Sequence, residues 1–173
     1  MAKKKDVLVS VVMGSDSDLS VMMEAVNILK AFNVPHEVYL TSAHRAPERT
    51  TTFAKNAQKR GIEVIIVGAG AAAHLAGVIA AQTPLPVIGV PIDATSLGGL
   101  DALLSTLQMP GGIPVATMTI GKAGAKNAGL LAVRILALQD KNLAKALDVY
   151  IANLAAGVEK KQEKINDALR PEN

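Results

Sequence analysis

The chain has 173 residues, carries a net charge of +3, and is half hydrophobic with no cysteine. Such a length and apolar content suit one domain with a sizeable core and exclude disorder as the main state. The lack of cysteine excludes disulfides, thiolate nucleophiles and cysteine-ligated zinc or iron–sulfur centres, and fits a reducing, cytoplasmic compartment. Part of the positive excess sits in the Lys3–Lys5 tail, and two Phe, two Tyr and no Trp leave little for bases to stack on, so nucleic acid is not an expected partner.

In chain order, Asp6 to Met13 is rich in β-branched residues and nearly continuous in apolar character, which reads as a strand buried on both faces. The start of the chain is basic, but a strand and a polar turn follow it where a signal peptide would need a cleavable apolar segment. Gly14-Ser15-Asp16-Ser17-Asp18 ends the strand and opens a helix with Leu19, Met22, Met23, Val26 and Leu29 on one face. Asn33-Val34-Pro35 closes that helix and leads to a second strand, Glu37 to Leu40. Ser42-Ala43-His44-Arg45-Ala46-Pro47 then forms a turn before a helix from Pro47 to Arg60 that carries Phe53, Ala54 and Ala57 inward.

The third strand is Glu63 to Val67, and it opens into Gly68-Ala69-Gly70-Ala71-Ala72-Ala73 before a helix from His74 to Gln82. Pro86 to Val90 is the fourth strand, Leu100 to Gln108 a helix, Val115 to Thr119 a short fifth strand, and Ala123 to Leu138 a helix of small residues. The most membrane-like region, Val64 to Ile92, is interrupted by Gly68, Gly70, His74, Gln82, Pro84 and Pro86, so strand–helix–strand fits it better than a bilayer span.

Five strands alternating with helices predict an α/β fold, a three-layer αβα sandwich around a parallel five-stranded sheet of flavodoxin-like or Rossmann-like type. By analogy the strand order is 2-1-3-4-5. Lys141 to Leu169 reads as a long amphipathic C-terminal helix, with Ala144, Leu147, Ile151, Leu154, Val158, Ile165 and Leu169 in its stripe. It could fold back on its own subunit or lie against a neighbour. The small-residue helix before it favours the neighbour. The expectation is therefore a single domain over residues 1–173, with an α/β core at 6–138 and a helix at 141–169 packed on an adjoining subunit.

Ligands of open α/β sheets bind at the carboxyl ends of the strands, and three turns there carry candidate chemistry. His44 can move a proton near neutrality and Arg45 can grip phosphate, although both could simply cap the following helix. The turn Gly14–Asp18 offers exposed amides and hydroxyls to an anion, or is an Asx-type turn with an N-cap. Its two aspartates would repel phosphate and suit sugar hydroxyls. The turn Gly68–His74 has almost no side chains and lets backbone approach a flat ligand; His74 is either a cap or a part of the site. The three histidines, His36, His44 and His74, show no metal-ligand spacing, and no Walker loop or full dinucleotide fingerprint is present. Cofactor-free proton transfer on a small phosphorylated molecule is the chemistry these residues suit.

Together, Gly14–Asp18, Ser42–Pro47, the run Gly68–Leu75 and Gln108-Met109-Pro110-Gly111-Gly112-Ile113-Pro114-Val115-Ala116-Thr117 resemble the PurE family. These are the class I N5-carboxyaminoimidazole ribonucleotide mutases of purine synthesis, the catalytic-subunit family of phosphoribosylaminoimidazole carboxylase. The resemblance runs from Val7 to Asn142. It implies a cytoplasmic homo-octamer with active sites near subunit contacts, and carboxylate transfer from the exocyclic nitrogen to C4 of the imidazole without metal, biotin or ATP. By the same resemblance His44 is the general acid/base. Ser15, Asp18 and Arg45 bind the ribose phosphate portion with Ser17 and Ser42 nearby, and Gly70, Ala71, His74 and Leu75 line the base pocket. The family more usually reads Gly-Ala-Gly-Gly-Ala-Ala-His-Leu-Pro-Gly where this chain has Ala71 and Ala76, small changes expected to affect only local loop flexibility. Two rival functions are a direct aminoimidazole ribonucleotide carboxylase on the same fold and a noncatalytic nucleotide- or flavin-binding module.

Overall fold

The apolar runs become five strands in the computed structural model, which describes residues 7–170: β1 Val9–Met13, β2 His36–Leu40, β3 Val64–Gly70, β4 Val87–Ile92 and β5 Ala116–Thr117. Asp6, expected to begin the first strand, and the Lys3–Lys5 tail lie outside the described residues. Every pairing is parallel and the order is β2-β1-β3-β4-β5, as expected from the alternation of elements. The helices are α1 Leu19–Ala31, α2 Pro47–Ala57, α3 Leu75–Ala80, α4 Leu100–Leu107, α5 Gly121–Ala137 and α6 Lys141–Ala168, with 3-10 turns at Asp16–Asp18 and Gln58–Arg60. Among the described residues no helix is long and apolar enough to cross a membrane.

Burial explains which runs became central strands. Every residue of β1 and β4 is buried, and all of β3 but its last residue. The edge strand β2 is half open, and its Val38 and Leu40 are 46% and 47% exposed. There Glu37 accepts a hydrogen bond from Ser10 Oγ at 3.0 Å and pairs with Arg60, which ties the edge to β1 and to the end of the second helical segment. Alternate residues of the central strands serve opposite layers. Val12, Ile65, Val67 and Val87 join Phe53 and Ala54 of α2, Ala76 and Ile79 of α3 and Ala102 of α4 in one core. On the other face a Cβ at Gly68 would meet Met22 of α1, and one at Gly129 of α5 would meet Ile28 of α1, so α1 and α5 form the second layer.

The structure departs from the sequence expectation at four places. β3 runs on through Gly68-Ala69-Gly70, expected to be a turn, because these residues pair with Val90, Pro91 and Ile92. Glycine disfavours a strand on its own, but here only glycine leaves room for Met22. β4 includes Pro91, which the sequence placed at its end. Pro91 lies past the β5 ladder, whose last pair is Gly89↔Thr117, so no second neighbour needs its missing N–H. β5 is only two residues long. The buried face of α1 is Met22, Ala25, Val26, Ile28 and Leu29, while Leu19 is 44% exposed. The approach of Gly129 to Ala25 and Ile28 rotates that face away from Leu19 and Met23.

The chain divides into two compact units, Met1–Ile135 and Leu136–Asn173. In the second, Asp140 caps α6 by accepting from the amides of Asn142 and Leu143 at 2.8 and 3.2 Å. Of the predicted stripe Leu147 is buried, whereas Ile151, Leu154, Val158, Ile165 and Leu169 are exposed.

Packing is close at Gly89 too, where an added Cβ would lie 2.4 Å from Thr106 Cγ2 and 3.0 Å from Val115 Cγ1. Thr106 is β-branched, buried and held by its own bond to the Ala102 carbonyl at 2.8 Å, so it cannot yield cheaply. Gly89→Ala is expected to lower unfolding free energy by roughly 1–3 kcal/mol. Urea denaturation reads this directly, and an unchanged midpoint would show that the α4 layer can shift.

Candidate active site

Because all strands run the same way, the turns after β1, β2 and β3 and the loop after β4 meet at one edge of the sheet. They enclose a crevice of about 450 Å³. All ten residues singled out from the sequence line it: Ser15, Ser17 and Asp18 from the first turn, Ser42, His44 and Arg45 from the second, Gly70, Ala71, His74 and Leu75 from the third. Ala94, from the loop after β4, completes the wall, and no motif marks it. A Cβ at Gly70 would lie 2.5 Å from Ala94 Cβ, so glycine there is what lets the two loops close. His36 lies elsewhere, on β2, with its Nδ1 2.7 Å from the Val34 carbonyl.

The first turn is not the open amide nest that its composition allowed. Ser15 and Asp18 form a reciprocal capping box: Ser15 N–H donates to Asp18 Oδ2 at 3.0 Å, and Ser15 Oγ accepts from Ser17 N–H at 3.4 Å. The Gly14 amide donates to Gly68 O and the Asp18 amide to Ser15 O, both at 3.2 Å. The Asx-turn and N-cap alternative is therefore the one realised, and most donors in this turn are already engaged. Asp18 itself is buried. Desolvation pushes its carboxyl above the ordinary value of 3.8, opposed by hydrogen bonds from the Ser15 and Gly14 amides and the Ser17 hydroxyl, and reinforced slightly by Asp16.

The second turn is fixed from beneath. Thr41 and Thr50 share a buried hydroxyl–hydroxyl bond of 2.9 Å, Ser42 Oγ accepts from the Arg45 amide at 3.2 Å, and Pro47 starts α2 at a position where no N–H is needed. Ala46 occupies the N-cap and no side chain caps the helix, so neither His44 nor Arg45 serves as a cap. Both are exposed to the crevice, and Arg45 Nη2 donates to the Gly14 carbonyl at 3.3 Å.

His44 and His74 meet across the crevice. Nε2 of His44 lies 2.8 Å from Nδ1 of His74, with the rings edge-on at 85° and their centroids 5.0 Å apart. A bond between two such nitrogens needs a single proton between them, so the tautomer of each ring depends on the other. His74 holds the N-cap position of α3 but makes no side-chain cap bond; its ring is turned to His44 instead.

Ala71 also lines the crevice, and its φ of +53° is a left-handed backbone. For a residue with a Cβ this conformation costs roughly 1–2 kcal/mol, so the alanine does more here than alter loop flexibility. Arg49 is a further residue that the sequence reading passed over. It lines a second groove of about 410 Å³ that shares Gly14, Ser15, Ser42 and Arg45 with the first. Its spacing from Arg45, one helical turn on, is the signal that could have found it. Among the described residues no three His, Asp or Glu side chains gather as metal ligands.

The Asp18 carboxyl has a definite pH signature. With its folded pKa raised, the native state binds more protons than the unfolded one above pH 3.8, so ionisation there lowers stability as pH rises. Asp18→Asn keeps an oxygen for the Ser15 amide and carries no charge. It is expected to raise the melting temperature at neutral pH, with the gain shrinking as pH falls towards the ordinary carboxylate range. A variant equally or less stable at pH 7 would contradict this.

Comparison with known proteins agrees with this geometry. A family model described as AIR carboxylase matches residues 8–156. The N5-carboxyaminoimidazole ribonucleotide mutase of Pyrococcus horikoshii is 53% identical over 165 residues, covering 95% of this chain and 92% of that protein. The protein of the same name from Bacillus subtilis is 57% identical over 141 residues, covering 82% and 87%. The crystal structure of Treponema denticola PurE superposes with a TM-score of 0.82 at 30% identity, covering 91% of this chain and 97% of that one. With most of its length matched by the family and by relatives of more than half identity, the chain belongs to the AIR carboxylase family.

Proposed function

We propose that the chain is an N5-carboxyaminoimidazole ribonucleotide mutase, an isomerase that moves a carboxylate from the exocyclic nitrogen to C4 of the aminoimidazole ring in purine biosynthesis. The observation that carries this reading is the hydrogen-bonded pair His44–His74 above a floor of small, nearly side-chain-free backbone. The mutase names of the relatives support it.

The chemistry follows from these parts. The carbamate N–C bond breaks and releases carbon dioxide, while the exocyclic nitrogen takes a proton from His44. The ring carbon C4, now nucleophilic, attacks the held carbon dioxide and forms the new C–C bond. C4 then carries both the carboxylate and its original hydrogen, and His44 removes that proton to restore aromaticity. The proton lent in the first half is recovered in the second, so the sequence balances as an isomerisation and calls for no cofactor. His74 orients the His44 ring and fixes its tautomer. Gly70, Ala71 and Leu75, with Ala94, offer small or apolar walls that confine carbon dioxide and exclude water. Asp18 suits ribose hydroxyls, Arg45 the phosphate, and Ser15, Ser17 and Ser42 supply hydroxyls along the path between.

Turnover of the carboxylated and uncarboxylated ribonucleotides side by side, with labelled bicarbonate present, tests the reading. Conversion of the carboxylated substrate with slow entry of label is expected; label entering as fast as product forms would assign direct carboxylation instead. In the same assay His44→Asn should lower kcat by about two to four orders of magnitude, the span of a general acid–base group, with product nucleotide still bound. Arg45→Lys keeps the charge but loses the bidentate fork, so its defect should fall chiefly on KM.

The reading extends to a cytoplasmic homo-oligomer, with the octamer as its expected size. Two exposed apolar stripes support assembly: Leu100, Leu104 and Leu107 along α4 with Leu97 in the turn before it, and Ile151, Leu154, Val158 and Ile165 along α6. Ending the chain after Gln139 should give smaller or aggregated species by light scattering. An unchanged size and solubility would show that α6 takes no part in assembly.

A further inference from the structure

We propose that Thr95 and Asp101 are positioning residues for the carboxylate transfer. Their hydrogen bond latches the loop after β4 and so keeps carbon dioxide in the crevice until C4 takes it. The inference rests on the mutase reading above. That reaction has a weak point which the histidines do not cover. Once the carbamate N–C bond breaks, the freed molecule is small and neutral, and only the walls retain it. If it escapes, the exocyclic nitrogen keeps the proton donated by His44, and His44 is reprotonated from water. The result is uncarboxylated ribonucleotide and free carbon dioxide. Retention therefore depends on a wall that stays in place.

The other walls come from the turns after β1, β2 and β3, but Ala94 is carried by a loop, residues 93–99, and meets the floor at Gly70. That loop has a fastening of its own. Thr95, the residue next to Ala94, donates from Oγ1 to Asp101 Oδ2 at 2.8 Å and accepts from the Leu97 amide at 3.1 Å. The Gly98 amide donates to the Thr95 carbonyl at 3.2 Å. At the base of the loop Gly99 has a φ of +81°, and a Cβ there would lie 3.3 Å from Asp93 Cα, so the two ends are drawn together. Asp101 stands in the first turn of α4, whose Ala102 and Thr106 are buried, so the far end of the latch is anchored. Its second oxygen, Oδ1, is buried and accepts no hydrogen bond. Thr95 is thus the one partner of this carboxyl among the described residues. A buried carboxyl oxygen without a partner costs stability and calls for a reason. Neither Thr95 nor Asp101 lines the crevice, but the residue they hold does.

The test uses the full chain and follows the carboxylated ribonucleotide with labelled bicarbonate present, corrected for spontaneous decay of the substrate. Thr95→Val opens the latch from one end and Asp101→Ala from the other. Thr95→Ser and Asp101→Asn each leave an oxygen where the bond needs one. In the two opening variants, uncarboxylated ribonucleotide released per turnover and label entering product should both rise about ten-fold, the scale of one hydrogen bond to a charged group, with substrate consumption within about two-fold of the parent. The two conservative variants should stay near the parent in both readings. Opening variants that consume substrate more slowly without leaking would overturn the proposal by showing a merely structural role, and so would loss of folding in both. Opening variants that partition as the parent does would sink this proposal alone. A parent into which label enters as fast as product forms would sink the mutase reading and this inference with it.

Discussion

Close approach at the carboxyl end of β3 is the constraint on which the rest of the site depends. Gly68 lets Met22 of α1 lie where a side chain would stand, and Gly70 lets Ala94 do the same from the loop after β4. These two absences of a Cβ bring a helix and a loop against the centre of the sheet. They also leave the floor of the crevice built of backbone. A larger residue at either position would move the walls, and His74, a few residues further on, would move with them.

Around that floor, polarity is distributed by what the local structure has already used. The amides of the first turn are spent on the capping box, so their contribution is rigidity, and charge is delivered by arginine side chains instead. Asp18 takes part in the capping box yet is itself held above its ordinary pKa, chiefly by desolvation. Ala71 keeps a left-handed backbone that glycine would adopt without strain. Both features lower stability at the site and both face the crevice. That is where local strain tends to be retained, because the surrounding structure over-determines it.

The architecture was legible in the sequence because burial on both faces writes itself as continuous β-branched runs, as in Val9–Met13 and Val64–Val67. Strand order came only by analogy, since no periodicity encodes it. The end of β3 was misread because the glycines that weaken a strand locally are required by Met22 and Ala94, contacts that exist only in three dimensions. On α1, Met22, Val26 and Leu29 are buried as expected, and the sequence missed only how the close approach of Gly129 on α5 adds Ala25 and Ile28 to that face. The three turns were found because each follows a strand end, and the resemblance to the PurE family picked out the ten candidate residues within them. Arg49 lies in the first turn of α2 and was hidden by a helix that reads as ordinary surface. The hydrogen bond between His44 and His74 joins two turns 30 positions apart, and no spacing rule announces it.

The parallel topology also governs when the site can come into being. β1 pairs with β3 across the separation from Val9 to Val64, and β3 must then accept β4 on its other side. Such long closures carry chain entropy that only the finished sheet repays. The two histidines are carried on turns that follow different strands, and β1 lies between those strands. Until β1 and β3 zip together they have no reason to meet. A nascent or partly folded chain, whatever helix content it has gained, therefore holds no His44–His74 pair, and the crevice is assembled only with the closing of the central sheet.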